Sequence, residues 1–485
     1  MNSAINVLWF KRDLRLADHA PLVRALAQPQ PLLLLYIFEP ELLCDPHYSM
    51  RHWRFVWQSL VDLGQRLERF SAKLQIVEGE ALSVFQHIHR ETPIASIFSH
   101  EEIGLDITFE RDKRIKHWAS VEGVSWQESP CGAVIRAARD RRGWQHNWER
   151  QIKRPLLSPP SKPFEVHTAN LPEFTPPMEW LQSDSAMQYG GEQAARHCLT
   201  TFIEERGVAY YKHISSPLLS RKSCSRLSPY LAWGNLSLAQ VYQSAKHRDN
   251  ASSNRIDWER SMRAFRSRLH WHCHFMQKFE SETSMQYRSM NAGYLEFPWR
   301  SDSQVPTDLE RWKEGMTGVP LVDACMRALN ATGYINFRMR AMVVSFLCHY
   351  LKIDWRLGAE HLASQFLDFE PGIHYPQMQM QAGVTGIHTL RIYNPTKQAK
   401  QQKQVDTFIA RWVPELAILP EELRMTPWEL TPIERLMLDE PLDYPEPIVD
   451  LKQAAKEARD LFWGWQEREA VKMDGERILA RHVMR

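Results

Sequence analysis

The sequence has no apolar run long enough to cross a membrane. The longest near the start, Leu32 to Phe38 (LLLLYIF), falls far short of the roughly 20 residues such a helix needs, so a soluble protein is expected. The opening MNSAINVLWFKRDLR has no basic head, apolar middle or small-residue cleavage site, and a cytoplasmic location is expected. Cysteine is sparse: seven residues in 485, with no CxxC pair, which argues against a disulfide framework or a zinc site. No GxGxxG follows the first apolar run and no GxxxxGK occurs, so the fingerprints of dinucleotide and nucleoside-triphosphate sites are missing. A net charge of only +2 gives no global field toward nucleic acid, so any basic surface must be local.

What is present fits two globular domains. At 485 residues the chain exceeds one ordinary core, and 44% hydrophobic with 24% charged residues argues against disorder. Short apolar runs at Val7 to Phe10, Leu32 to Phe38, Leu74 to Val77 and Ile94 to Phe98 read as buried strands. Between the second and third, Trp53, Val56, Trp57, Leu60, Leu63 and Leu67 recur at helical spacing. Alternating strands and helices predict an α/β domain with a doubly wound parallel sheet over residues 1–135. Prolines crowd the next stretch, from Pro155 to Pro177, and predict an interdomain connector over residues 136–195. Helical periodicity then predicts an all-α domain over residues 196–425. A C-terminal tail, residues 426–485, carries an amphipathic helix from about Leu451 to Arg468 and ends in the basic ERILARHVMR.

Several residue patterns carry chemistry. Ser225 and Ser228 in CSRLSPYLAWGN, Cys224 to Asn235, offer hydroxyls at a helix start, which either cradle an anion or simply cap the helix. Arg338 and Arg340 in NFRMR leave their helix at different azimuths, so they serve different partners. His270, His272 and His274 alternate in HWHCHF; with no third ligand at useful spacing they predict a polar pocket and no metal. The 18 tryptophans read chiefly as core filling, with a few left to carry electrons.

Taken together, Val7 to Asp18 (VLWFKRDLRLAD), Cys224 to Asn235, Trp312 to Thr332 (WKEGMTGVPLVDACMRALNAT), Arg391 to Pro395 (RIYNP), Phe408 to Leu416 (FIARWVPEL) and Tyr444 to Asp450 (YPEPIVD) resemble the photolyase/cryptochrome family in order and approximate spacing. The resemblance implies FAD in the helical domain, held by Tyr211, Cys224, Ser225, Leu227 and Ser228, although the family has Thr-Ser where this chain has Cys224-Ser225. It implies a salt bridge from Arg340 to Asp368 beside the flavin, with Glu370 at a second aspartate position. His374 would face the reactive edge of the flavin, where an imidazole could give up a proton near neutral pH.

On the substrate side, Trp271 matches the first tryptophan of the dimer pocket, whereas Arg268, Phe337 and Met380 replace a glutamate, an asparagine and a second tryptophan. Arg338, Arg391 and Lys397 would contact DNA. Trp355 and Trp299 match the middle and outer members of an electron relay whose inner place holds Met378, so Tyr375, Tyr393 or Trp271 would have to substitute. Asn336 and Phe337 stand where (6-4) photolyases carry a histidine pair, and no cysteine follows Cys348, so neither that repair nor an iron–sulfur cluster is expected. The implied activity is light-driven repair of a pyrimidine lesion in damaged DNA by a deoxyribodipyrimidine photolyase-type lyase. The alternative is a blue-light receptor with the same fold and flavin. A second, antenna chromophore (folate, deazaflavin or flavin) stays open, and a monomer is expected.

Overall fold

The computed structural model describes residues 4–250, 255–438 and 440–483; the first three residues of the chain and the last two of its basic ending lie outside these. The apolar runs form strands because bulky and β-branched side chains suit a sheet covered on both faces. These are β1 (Ile5–Phe10), β2 (Leu32–Phe38), β3 (Leu74–Glu78) and β4 (Ile94–His100), and a fifth, β5 (Ser125–Ser129), completes the sheet. All pairs are parallel and the order is β3-β2-β1-β4-β5, the expected doubly wound α/β arrangement. The chain reverses direction across the sheet at β1, so the ends of β1 and β4 flank a crevice. Lys11 to Asp13 follow β1, and Glu101 and Glu102 follow His100 at the end of β4. Among the described residues no helix is long and apolar enough to cross a membrane.

The apolar stripe read between β2 and β3 is the helix Met50–Glu68, with Trp53, Val56, Leu60, Leu63 and Leu67 buried. The proline-rich segment docks on the sheet: Leu32 N–H donates to Glu165 O and His167 N–H to Leu32 O, while Phe174 and Trp180 pack on Phe38 at 4.4 and 5.3 Å. From Glu192 onward the chain is helical, and among the described residues no strand lies beyond Ser129. At the C-terminus the helices Leu451–Gln466 and Glu469–His482 return to the helical domain, where Phe462 packs on Phe297 and Trp465 Nε1 donates to Gly293 O.

The opening motif ties the two domains together. Arg12 Nε donates to Ala232 O at 2.9 Å and its Nη2 to Phe369 O at 2.6 Å, with the guanidinium over Trp233. Asp18 accepts from Ser237 and Arg154. Gly234 sits against this motif at φ +67°, where a Cβ would lie 2.2 Å from Arg12 O; only glycine fits such an approach.

Candidate functional site

Most of the candidate residues lie on four neighbouring pieces of the helical domain: the helix Arg255–Ser281, the helix Phe337–Ser345, the helix Pro371–Ala382 with the segment leading into it, and the loop before Ser228. The first and third helices approach so closely that a Cβ on Gly372 would fall 2.5 Å from Met276 Sδ.

Arg340 and Arg338 diverge as the helix geometry requires. Arg340 Nη2 donates to both Asp368 oxygens at 3.0 and 2.8 Å, its Nε donates to Ile335 O, and the guanidinium lies 3.9 Å over Phe366. Burial pushes the Asp368 carboxyl upward, but the charge and hydrogen bonds of Arg340, with a further bond from Ser228, outweigh it and hold the group below its usual range. Asp368 therefore links Arg340 to the Ser225–Ser228 loop. Arg338 turns away and donates to Gln398 Oε1 at 3.2 Å.

Three further arginines surround the loop. Arg206 donates to the carbonyls of Cys224 and Ser225, Arg221 to Tyr334 O and Thr332 Oγ1, and Arg226 stacks 3.7 Å over Tyr334. Burial, with Arg226 nearby, lowers Arg221 to about 10. None of the three has a carboxylate partner among the described residues. Cys224 and Leu227 are buried in the core. Tyr211, expected to join this group, instead donates its hydroxyl to Asp257 Oδ1 at 2.8 Å. Its neighbour Tyr210 is the buried one, beside Cys224, Arg268 and Tyr334. With two consecutive tyrosines in the sequence, only the helical phase decides which points inward. The basic side chains flanking the serines were the visible signal for the arginine cluster.

Two other expectations change. Glu370 turns to His272, whose Nε2 lies 3.0 Å from its Oε2. Burial alone would depress His272, but the Glu370 carboxylate, with Cys273 beside it, lifts the imidazole to about 10, while the same pairing keeps Glu370 below its usual range against the effect of burial. His374 does not titrate near neutral pH: burial, reinforced by His47 nearby, drives it down to about 3. Its Nε2–H donates to Ala359 O at 2.9 Å, so the ring is neutral with Nδ1 as an acceptor. The remaining histidines of HWHCHF also separate, His270 toward Gln145 and Trp148 and His274 against Trp271. The grouping with metal-ligand spacing among the described residues is Asp13, His19 and His100, whose facing atoms hydrogen-bond one another at 2.9 and 2.7 Å.

The outer face of these helices carries Trp271 and Phe337, each nearly half exposed, with Arg268 4.8 Å over Phe337. Met380 is half-buried, and Arg391 and Lys397 are exposed. Of the tryptophans expected to form a relay, Trp355 is fully buried and packs against Tyr375, whereas Trp299 packs against Phe297 and Phe462. Met378 is buried one helical turn beyond Tyr375, and Tyr393 is half-buried, its N–H bonded to Ser345 Oγ.

Residues 6–142 match the family model described as DNA photolyase, and residues 265–464 match the FAD binding domain of DNA photolyase. A protein from Synechocystis named cryptochrome DASH is 28% identical, over 94% of this chain and 97% of its own. A deoxyribodipyrimidine photo-lyase from Vibrio cholerae is 27% identical, over 93% and 97%. The crystal structure of a Synechocystis cryptochrome superposes with a TM-score of 0.84 at 26% identity, covering 95% of this chain and all of that one. The two family models together span more than half of the sequence, one before and one after the proline-rich stretch Pro155 to Pro177, and the chain belongs to the photolyase/cryptochrome family.

Proposed function

We propose that this chain is a light-dependent FAD flavoprotein that binds damaged DNA and repairs a pyrimidine photolesion by electron transfer from reduced flavin. The observation that carries the reading is the joined cationic site: Arg206, Arg221 and Arg226 around the Ser225–Ser228 loop, tied through Ser228 and Asp368 to Arg340. Clustered guanidiniums without carboxylate partners suit a diphosphate. Asn336 Oδ1 is buried without a hydrogen-bond partner, as a group awaiting a polar ligand would be. The site fits FAD. Bound FAD supplies light absorption and one-electron chemistry, and the protein supplies binding and orientation.

In this reading the arginine cluster and Ser225 hold the diphosphate, and the Arg340–Asp368 pair fixes the neighbouring polar wall. His374, neutral with a bare Nδ1, offers a hydrogen-bond acceptor and no proton. Trp271 and Phe337 form an exposed aromatic face on which an extruded base can stack. Arg268, Arg338, Arg391 and Lys397 contribute phosphate contacts. A relative at 27% identity is named a deoxyribodipyrimidine photo-lyase, which supports the repair reading.

A second reading, a blue-light receptor without repair activity, draws on Arg268, Phe337 and Met380 in place of the dimer-pocket residues, and on the relative named cryptochrome DASH. Blue-light illumination of the flavin-loaded protein with an oligonucleotide carrying a cyclobutane thymine dimer separates the two. Restored thymine supports repair; unchanged dimer alongside a light-driven flavin spectral change supports the receptor. Absorption bands beyond those of flavin would identify an antenna chromophore.

A further inference from the structure

On the helix Pro371–Ala382, Tyr375 is 2% exposed, and its hydroxyl meets His47 Nε2. His47 Nδ1 in turn lies 2.6 Å from Asp45 Oδ1, which also accepts the His47 backbone N–H at 2.9 Å. An ionised carboxylate only accepts, so the imidazole proton sits on Nδ1 and the Nε2 lone pair faces the phenol. A phenol, an imidazole and a carboxylate thus stand in line, the last two supplied by the N-terminal domain and the first by the helical domain. His47 is itself buried and stacks on Phe369. Beside the same phenol ring lies Trp355, fully buried, with ring centroids 6.3 Å apart at 77°, and Phe279 stacks on the ring at 5.9 Å.

The geometry points to Tyr375 as a proton-coupled hole carrier: it gives an electron to an oxidised Trp355 while its hydroxyl proton crosses to His47 Nε2. The step balances within the chain. The electron restores the Trp355 indole from its radical cation, the Tyr375 O–H bond breaks as a His47 N–H bond forms, and Tyr375 is left a neutral phenoxyl. The imidazolium so formed is paired with the Asp45 carboxylate. The oxidant of Trp355 is a one-electron photo-oxidant, the class that includes photoexcited oxidised flavin, so the light-driven form of the step rests on the FAD reading above. An oxidised phenol is strongly acidic, and a buried one without a base has nowhere to release its proton. Here burial, with acidic groups nearby, raises the Tyr375 phenol above its usual range, which closes the route through a preformed phenolate and leaves His47 as the acceptor. Tyr375 thus takes the hole from Trp355 and holds it as a neutral phenoxyl, at the end of the route and not in the inner place that Met378 occupies.

The test uses the purified full chain in two forms. In one, a laser flash excites a ruthenium polypyridyl photo-oxidant with a sacrificial electron acceptor; in the other, a blue flash excites the flavin-loaded protein. Transient absorption and electron paramagnetic resonance with ring-deuterated tyrosine detect the phenoxyl. The wild type is expected to form a long-lived phenoxyl, more slowly in D2O than in H2O. Tyr375→Phe should abolish it and leave the indole radical, and His47→Gln, which keeps a hydrogen-bond acceptor but not a base, should slow it by roughly 10²-fold. Circular dichroism shows that each variant is folded, and Asp45→Asn offers an intermediate case if His47→Gln is not. A phenoxyl persisting in Tyr375→Phe, or forming at the wild-type rate in His47→Gln, overturns the proposal. A phenoxyl with the ruthenium oxidant but none with the blue flash supports the triad and removes the light-driven form of the step, whereas a chain that takes up no flavin removes the FAD reading. Bound flavin with no phenoxyl by either route removes the triad alone.

Discussion

The Arg340–Asp368 pair offers the sharpest test of where the flavin sits. Asp368→Ala removes the acceptor of both Arg340 bonds and of the Ser228 bond. Breaking a fully buried ion pair by deleting one partner costs ~3–5 kcal/mol, whereas exposed pairs are worth ~0–1 kcal/mol. Asp368 is 7% exposed, but Arg340 retains 30%, so water recovers part of the loss and ~2–3 kcal/mol is the reasoned figure. If most of that energy is expressed in cofactor affinity, flavin binds roughly 30- to 150-fold more weakly. The ratio of flavin to protein absorbance after gel filtration reads this directly. Asp368→Asn, which keeps the shape and one acceptor, should lose less. Arg340→Met combined with Asp368→Ala should be no worse than Asp368→Ala alone, because the penalty lies in the stranded guanidinium. Full flavin occupancy in Asp368→Ala, with an unchanged melting temperature, would refute both the energy and the placement.

Three other outcomes follow from the same geometry. His272 is raised from 6.5 to about 10, so its pairing with Glu370 contributes fully below pH ~6.5 and is lost as pH rises through the folded value. Glu370, held below 4.5, adds a loss on the acid side as pH falls through its own folded value. His272→Gln should flatten the alkaline decline of melting temperature. Arg391→Ala, at an exposed arginine, should reduce the slope of log affinity for lesion-bearing DNA against log salt by ~0.9; an unchanged slope removes that phosphate contact. Gly234→Ala places a Cβ 2.2 Å from Arg12 O at φ +67°, and should destabilise the interdomain contact by ~2–4 kcal/mol, read as a lower melting temperature.

What could be read from the sequence divides along physical lines. The first two strands were legible because they are buried throughout and so are written as unbroken apolar runs, and the next two because Leu74, Ile76 and Val77, and Ile94, Ile97 and Phe98, still cluster enough apolar side chains to stand out. The fifth, SWQES at Ser125–Ser129, lies at the sheet edge with four of its five residues partly or fully exposed, and a half-solvated edge strand needs no such run. The partnership of Arg340 with Asp368 was anticipated through the family resemblance, whereas the choice between Tyr210 and Tyr211 turned on helical phase, which two adjacent identical residues do not encode. The chemistry of His374 was misjudged for a different reason. A residue type states a reference pKa, but the shift to about 3 arises from burial and from His47, more than three hundred residues away in the chain.

His47 exposes the general difficulty and also what the resemblance consists of. The first two segments that resemble the family are far apart in sequence yet touch in space: Arg12 of the first bonds Ala232 of the second, Gly234 packs against Arg12 and Asp13, and Asp18 reaches Ser237 just beyond. They are largely the two sides of one domain interface. Across that same interface Arg12 holds Phe369 O, between Asp368 and Glu370, and His47 holds Tyr375. The α/β domain therefore fixes the backbone that presents Asp368 and supplies the base that faces Tyr375, so its role extends to the site in the helical domain. A substitution at Arg12 that preserves the sheet should then disturb the helical-domain site first, because Phe369 O loses a charged donor while the core around β1 keeps its packing.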